Sequence, residues 1–289
     1  MAKLRKLDKQ KIESQKDGLE KAQLSRADLE GIDLSRGFLK EAEIQKSNLK
    51  QANFEEAGLN GADFTGSFLV GANFKSAKLI RANFNKTNLS GANLSGTDLS
   101  SSWFNQALAL KADFHDSNLN RAELNQAQLK GCDFRNVNLS KCDLRGAQLM
   151  KSDFSGARIP KSHLSKANFT GAKLEGTDFS GCNLSGCDFR EAYLRGADFS
   201  DSILNRVYFK GADLTEANLS GANIRGSDLT DTQISGANLS GADLSLATNL
   251  TSDNLKTARI DRKTKLPDNL EVTWKSETEF ECSETAREE

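Results

Sequence analysis

The sequence predicts an all-β solenoid, a fold made from short units that stack along one axis. Three observations support this prediction. Leu or Phe, with a few Ile, occupies every fifth position from Leu19 to Leu244, which gives 46 consecutive units with Ala109 as the one exception. A small residue lies two positions before nearly all of these large residues and is Ala in 25 units, with Asp17, Ile32 and Gly37 outside the usual set. Of the 22 glycines, 19 lie two positions after one of them.

We call the large apolar residue of each five-residue unit its centre. A period of five matches neither the 3.6-residue period of an α-helix nor the simple alternation of a strand. In extended backbone, the centre and the small residue two positions earlier point to the same side. A unit this short cannot bury its centre alone and has to stack on its neighbours. Gly suits a turn after the centre, as do the Asp or Asn residues that precede 27 of the 46 centres.

Runs such as GANLS at 91–95 and GADLT at 211–215 resemble the repeat A(D/N)LXX of the pentapeptide-repeat family. The resemblance covers residues 18–244. It implies a right-handed quadrilateral β-helix in which four units form one coil, one unit on each side. The 46 units then make about 11 coils, and a strand spacing of ~4.8 Å gives a rod roughly 55 Å long.

Four units per coil place residues 20 apart directly above one another. Phenylalanine centres then form columns that bury a large aromatic area and supply much of the stability. The predicted columns are Phe64, Phe84 and Phe104; Phe114, Phe134 and Phe154; Phe169, Phe189 and Phe209; and Phe179 with Phe199.

The unbroken period over residues 18–246 predicts one elongated β-helical domain. Residues 1–17 are basic, and we expect them to cover the first coil, because the open end of a β-helix exposes unpaired backbone. Short helical caps are expected at the ends.

After Leu244 the period slips. Residues 247–266 are predicted to form a C-terminal cap, with a short helix that Thr251 begins and that directs Leu255 and Ile260 at the last coil. Residues 267–289 form an acidic segment, which we expect to be a disordered tail.

The formal net charge is −1, from which neither strong attraction to nucleic acid nor strong acidity follows. No signal segment or membrane span is apparent. Four of the five cysteines, Cys132, Cys142, Cys182 and Cys187, occupy the small inward position, and no CxxC pair is present. We therefore interpret them as small buried groups in a protein of the reducing cytoplasm.

The sequence offers no recognisable catalytic, cofactor-binding or metal-binding constellation. Of the two histidines, His115 follows a centre and His163 precedes one, so both are expected on the outer surface. Asp113, Asp133 and Asp153 stack in consecutive coils, but Asp or Asn is the usual residue at that position. We predict no catalytic residue, no cofactor, no metal and no enzymatic activity.

One apolar patch departs from the repeat. Phe68 and Leu108 replace the usual Asp or Asn, and Val70 and Leu110 follow the same two centres, on one face and two coils apart. Contiguous exposed apolar groups often mark a partner surface. Alternatively, Ala109 fills its place poorly, the coil distorts, and Leu108 or Leu110 turns inward. With Trp103 on the adjacent face, the candidate partner patch comprises Phe68, Val70, Trp103, Leu108 and Leu110.

Charge is also segregated along the chain. Residues 121–166 carry nine basic and four acidic residues, a net of +5, whereas residues 198–244 carry three basic and seven acidic residues, a net of −4. Arg121, Lys141 and Lys161 would stack at one corner and form a candidate basic column. Solvated surface charge is the alternative explanation.

The favoured function is a non-enzymatic scaffold or regulatory protein that binds another protein through an outer face, because the resemblance includes members of that kind. A weak homodimer is left open. Residues 249–267 are similar to the end caps of cyanobacterial members. The alternative function is that of a DNA mimic that inhibits or protects DNA gyrase. Mimics in this family are acidic along their length and dimerise through a C-terminal helix.

Overall fold

The computed structural model describes residues 5–277 and 279–285. It divides into two compact units, residues 1–153 and residues 154–289, and each is considered by itself. The single elongated domain expected from the sequence therefore stays a prediction.

Named helices and strands are confined to the chain ends. Unit 1 begins with β1 (Arg5–Lys6), α1 (Lys9–Ser14), a 3-10 turn (Lys16–Gly18) and β2 (Ala27–Asp28). Unit 2 ends with α2 (Ser252–Lys256), β3 (Leu270–Trp274) and β4 (Phe280–Glu284).

Between these ends, parallel backbone bridges join residues 20 apart, such as Asn48 with Phe68 in unit 1 and Asp178 with Asp198 in unit 2. The N–H of most centres donates to a carbonyl 19 residues later, as from Leu29 to Asn48 at 2.8 Å. A spacing of 20 equals four units of five. The predicted four-sided coil is therefore confirmed.

Each side ends in a turn that closes a local hydrogen bond. The N–H of the small residue donates to the preceding centre, as from Ala52 to the Leu49 carbonyl at 3.1 Å. The residue two positions after the centre forms the corner between two sides of the coil. It has positive φ, for example 66° at Gly91 and 57° at Arg81. This left-handed region is open to Gly at low cost but disfavours β-branched side chains. No Val, Ile or Thr occupies such a position in the described residues.

The Asp or Asn before the centre stabilises the same turn. Its Oδ1 accepts the backbone N–H two residues later, at 3.0 Å from Ser95 to Asn93 and at 2.8 Å from Thr65 to Asp63. Short polar side chains that bond nearby backbone in this way are typical turn formers. The composition of this position therefore follows from local structure.

Phenylalanine rings fill the interior of unit 1. Phe84 stacks on Phe64 at 5.0 Å and on Phe104 at 4.8 Å, and meets Phe74 edge-on at 5.7 Å. Phe114 stacks on Phe134 at 4.8 Å. The predicted columns are confirmed within this unit.

Unit 2 repeats the arrangement. Phe189 stacks on Phe169 at 4.9 Å and on Phe209 at 5.5 Å, and Phe179 stacks on Phe199 at 5.0 Å. Phenylalanines ten residues apart meet edge-on from opposite sides of the coil, as Phe179 and Phe189 do at 6.0 Å. The stacking of Phe154 on Phe134 stays a prediction, because the two rings belong to different units.

The N-terminal segment covers the exposed edge of the first coil. β1 pairs in parallel with β2, the Lys16 carbonyl accepts from the N–H of Phe38 at 2.9 Å, and Glu13 Oε1 accepts from the N–H of Asp33 at 2.9 Å. Edge groups that would otherwise lack partners are thereby satisfied. Residues 1–4 of the predicted basic cap lie outside the described residues.

The C-terminal cap continues the ladder through an irregular coil. The N–H groups of Leu239 and Leu244 donate to the carbonyls of Arg259 and Lys265 at 2.7 and 2.8 Å. The Thr251 side chain caps α2, and Leu255 and Ile260 are buried, as the sequence predicts.

The prediction of a disordered tail over residues 267–289 is wrong for residues 270–274 and 280–284. β3 and β4 pair as an antiparallel hairpin in which Trp274 faces Phe280 at 5.5 Å, with the Arg262 guanidinium 5.4 Å from the Trp274 ring. Apolar residues alternate with acidic and polar ones along both strands, which is a strand pattern. The acidic composition hid that alternation.

Replacing Phe84 by Ala removes a fully buried ring that contacts three other rings. We expect the free energy of unfolding to fall by about 3–5 kcal/mol, measured by chemical denaturation. The matched exposed substitution Lys78→Ala should change it by less than about 0.5 kcal/mol. A loss below about 1 kcal/mol for Phe84→Ala would contradict the column assignment.

Corner positions allow a test of backbone strain alone, because a Cβ added at Gly91 meets nothing within 4 Å. Gly91→Lys should cost about 1 kcal/mol, since Lys occupies other corners, and Gly91→Val about 2–3 kcal/mol. Denaturant titrations of both variants would measure the difference. Equal losses would show that β-branching is not what these corners exclude.

Candidate protein-interaction surface

Part of one face of unit 1 carries almost no charge. It is formed by the residues that flank the centres Leu69, Leu89, Ala109, Leu129 and Leu149, and we call it the neutral face. Lys130 is its one charged side chain. Its outward residues are Phe68, Val70, Asn88, Ser90, Leu108, Leu110, Gln128, Lys130, Gln148 and Met150.

The patch residues on the neutral face lie in two coils that are separated by one coil that is polar on this face. Asn88 bridges Phe68 on one side and Leu108 on the other, so the two apolar residues are two coils apart, roughly 10 Å at the usual strand spacing. Phe68 is 45% exposed and Leu110 is 38% exposed, and Val70 and Leu108 are half-buried. The predicted patch is therefore on the surface.

The alternative, that Leu108 or Leu110 turns inward, is wrong because Ala109 keeps the register of the repeat. Ala109 is fully buried, and its N–H donates to the Gln128 carbonyl at 2.8 Å. Leu108 bridges Gln128 in the next coil. The backbone ladder on both sides holds the strand in place even where the centre is small.

Trp103 lies half-buried on the adjacent face, where it bridges Asn83 and Glu123. It belongs to the same coils as the patch but to a different wall. An occupant of the neutral face would have to extend around one corner to reach it.

Other exposed apolar side chains were not singled out from the sequence. Most of them take the place of the Asp or Asn before a centre, the same signal that marked Phe68. Sequence reasoning missed them because it started from the two centres that have apolar residues on both sides and added only the nearby Trp103. They are Phe38 and Ile80 in unit 1, and Tyr193, Ile203, Tyr208 and Leu246 in unit 2.

Arg121 and Lys141 of the predicted basic column are exposed corner residues in consecutive coils of unit 1, both with φ of 61°. Lys161 occupies the same type of corner in unit 2. The structure thus brings together two of the three residues within one unit, and a role for the column stays a prediction.

Three titratable groups approach one another in unit 1. Side-chain ligand atoms of Asp113, His115 and Asp133 lie within 4.8 Å, and His115 Nδ1 is 2.7 Å from Asp113 Oδ1. Arg135 donates to both carboxylate oxygens of Asp133 and thereby holds the pKa of that carboxyl below its usual range. The guanidinium occupies the oxygens that a metal ion would need, so we assign no metal here.

These contacts repeat a local pattern. Asp143 with Arg145 and Asp188 with Arg190 form the same pairs across one centre. His115 holds the position equivalent to Arg in this pattern, and His163 is exposed in unit 2. Both histidines are therefore surface residues, as predicted.

A family model described as pentapeptide repeats matches the chain in eight copies that together span residues 22–245. The chain belongs to the pentapeptide repeat family. No curated protein sequence matches it.

Among solved structures, this pentapeptide repeat protein is similar to HetL, involved in heterocyst differentiation regulation, from the cyanobacterium Nostoc sp. strain PCC 7120. The identity is 24% and the TM-score 0.55, over 78% of this chain and 90% of HetL. QnrB1, a plasmid-mediated fluoroquinolone resistance protein, is 21% identical with a TM-score of 0.32, over 63% of this chain and 90% of QnrB1.

Rfr23 from the cyanobacterium Cyanothece 51142 is 22% identical with a TM-score of 0.18, over 48% of this chain and 90% of Rfr23. Likeness at these identities shows the fold alone, and the TM-scores of QnrB1 and Rfr23 are too low to support an argument. The fold is a right-handed quadrilateral β-helix, as the resemblance implied.

The described residues of this pentapeptide repeat protein contain no helix with the length and apolar character needed to cross a membrane.

The four inward cysteines are buried, as predicted, but they are more than small apolar groups. Cys132 Sγ lies 2.8 Å from the Ala109 carbonyl and Cys182 Sγ 2.9 Å from the Ile159 carbonyl. Ser67 donates to the Ile44 carbonyl in the same way. Burial raises the pKa of Cys132 and of Cys182 to about 12.

A thiol with a pKa near 12 is a poor nucleophile at moderate pH, because the thiolate is the reactive species. At pH 8.5 the thiolate fraction of Cys132 and Cys182 should be on the order of a thousandfold below that of a free cysteine. We expect native protein to react slowly with an aromatic disulfide reagent and denatured protein to react at once. Rapid native labelling of Cys132, located by peptide mass analysis, would contradict its burial.

Proposed function

We propose that this protein is a non-enzymatic scaffold or regulatory protein that binds another protein through the neutral face of unit 1. The observation that carries the proposal is the exposure of Phe68 and Leu110 on a face with one charged side chain. Interfaces are depleted in charge at their centres and enriched in aromatic residues.

The backbone of this face favours binding. Hydrogen bonds join the coils that carry Leu69, Leu89, Ala109 and Leu129 to their neighbours, so the side chains are already arranged and binding orders little of the chain. Apolar residues roughly 10 Å apart, with Asn88 and Ser90 between them, suit a partner that offers apolar side chains at a similar separation.

Absence of enzymatic activity is part of the proposal. Asp113 and Asp133 are engaged by His115 and Arg135, and the cysteine thiols lie against backbone carbonyls. Among these groups none combines an activated nucleophile with a base. The regulatory context in which HetL is described agrees with a binding role.

The gyrase alternative gains no support from the charge distribution. A DNA mimic needs negative charge along its length, and residues 121–166 carry a net charge of +5. A supercoiling assay separates the two functions. Inhibition or protection of gyrase by micromolar protein would favour the alternative.

The double variant Leu108→Ser/Leu110→Ser tests the neutral face. We expect it to fold, with a change in unfolding free energy of about 1 kcal/mol or less, because both residues are partly solvated. Partner capture from the native host, read by quantitative mass spectrometry, should lose at least one protein that wild type retains.

Ile80→Ser is the matched control, because it removes an exposed apolar residue from a different face and should leave capture unchanged. If Ile80→Ser and the double variant lose the same proteins, the neutral face is not the binding surface. Sedimentation of wild type at increasing concentration tests self-association, and a dimer that the double variant abolishes would make a second copy the partner.

A further inference from the structure

A groove of about 460 Å³ runs along one corner of unit 2. Three cations, Lys166, Arg206 and Arg225, line it, and its lining contains no acidic residue. It lies outside the neutral face and belongs to one unit. Its charge is opposite in sign to that of residues 198–244 as a whole, where acids outnumber bases by seven to three.

Two glycines create the groove. Gly186 and Gly226 occupy alternate corners and have no side chain to fill the space. A Cβ at Gly186 would lie 3.7 Å from Lys166 Cγ, and one at Gly226 would lie 3.6 Å from Arg206 Cγ. The aliphatic stems of Lys166 and Arg206 therefore pass over the glycine of the next coil, which brings their charged ends to the same trough.

The three cations are not neutralised by the protein. Within residues 5–277 and 279–285, no ion pair involves Lys166, Arg206 or Arg225. Arg206 donates its backbone N–H to the Arg225 carbonyl at 3.0 Å, so these two residues are neighbours in consecutive coils. Exposed side chains of like charge on neighbouring coils repel one another unless an anion lies between them.

The acids nearest in sequence to the groove are already engaged. Asp188 forms an ion pair with Arg190. Asp228 accepts hydrogen bonds from Thr230 and Asn249, which together outweigh burial and hold the pKa of its carboxyl below the usual range. Both carboxyl groups are held by these partners, and neither residue lines the groove.

Two further groups define its floor and its end. Asn205 lines the groove, and its Oδ1 is buried without a hydrogen-bond partner. Leu246 is 58% exposed at a corner that is otherwise Gly or polar and lies at the groove margin. A ligand whose anionic part carries an organic group with an N–H or O–H donor would pair with Asn205 Oδ1 and contact Leu246.

We propose that this groove binds a small ligand that carries two or more phosphate groups. Arg206 and Arg225 offer planar guanidinium donors that match phosphate oxygens, and Lys166 adds a third positive charge. The phosphates could belong to a free polyphosphate or to a nucleotide whose organic part contacts Leu246.

Isothermal titration calorimetry of the full chain with sodium tripolyphosphate and with adenosine triphosphate tests the site. We expect saturable one-to-one binding that weakens as salt rises, because the interaction is between charges. Arg206→Gln and Arg225→Gln should each weaken binding roughly tenfold or more, since each removes charge-assisted hydrogen bonds. Gln already occupies corners with positive φ at Gln106 and Gln126, so Arg206→Gln should fold.

Arg121→Gln is the matched control, because Arg121 is an exposed corner cation in unit 1. It should leave affinity unchanged. An equal loss in this control would show diffuse attraction to positive surface and overturn the site. Absence of saturable binding below about 1 mM for both anions would also overturn it.

Leu246→Ser separates the two sources of phosphate. If it weakens adenosine triphosphate and spares tripolyphosphate, the ligand is an organic phosphate. If tripolyphosphate and adenosine triphosphate bind with equal affinity, and Leu246→Ser changes neither affinity, the site is assigned to free polyphosphate. The groove and the neutral face share no residue, so failure here leaves the proposed protein interaction untouched.

Discussion

The backbone ladder between residues 20 apart is the interaction on which the rest of this structure depends. Within each unit it pairs N–H groups of one coil with carbonyls of the next, and it therefore fixes which side chains point inward and which lie in rows outside. A five-residue side contributes only one bridge to each neighbour. Stability has to come from many equivalent contacts repeated along the chain, with stacked rings such as Phe84 on Phe64 inside.

The same ladder explains why the surface can vary while the fold does not. Ala109 shows this most clearly, because a centre with little volume is still held in register by its hydrogen bonds. Outward residues are thus free to change chemistry from coil to coil. A neutral face in unit 1 and a basic, glycine-lined groove in unit 2 are two outcomes of that freedom. In both cases the binding properties come from side chains that lie in rows on a backbone held by hydrogen bonds.

Most of the fold could be predicted from the repeat, and the exceptions have physical causes. The Phe columns within each unit followed from the spacing once four units per coil was assumed, and the capping role of Thr251 followed from the preference of helix N-termini for Thr. The hairpin formed by β3 and β4 was missed because acidic composition outweighed the alternation around Val272 and Trp274. The basic groove was missed because Lys166, Arg206 and Arg225 are distant in sequence, and the glycines that open the space had been counted only as turns.

The sequence by itself determined the period, the four-sided coil implied by the family resemblance, and the identity of every inward position, because a repeat without insertions leaves one register that buries all the centres. Only the tertiary structure decided the exposure of Leu108 and Leu110. That outcome depends on whether hydrogen bonds from neighbouring coils can hold a strand with a small centre. Such hydrogen bonds join parts of the chain about 20 residues apart, so the local sequence around Ala109 does not reveal them. The convergence of three unpaired cations on one trough was decided in the same way, by side chains that cross the glycine of the next coil.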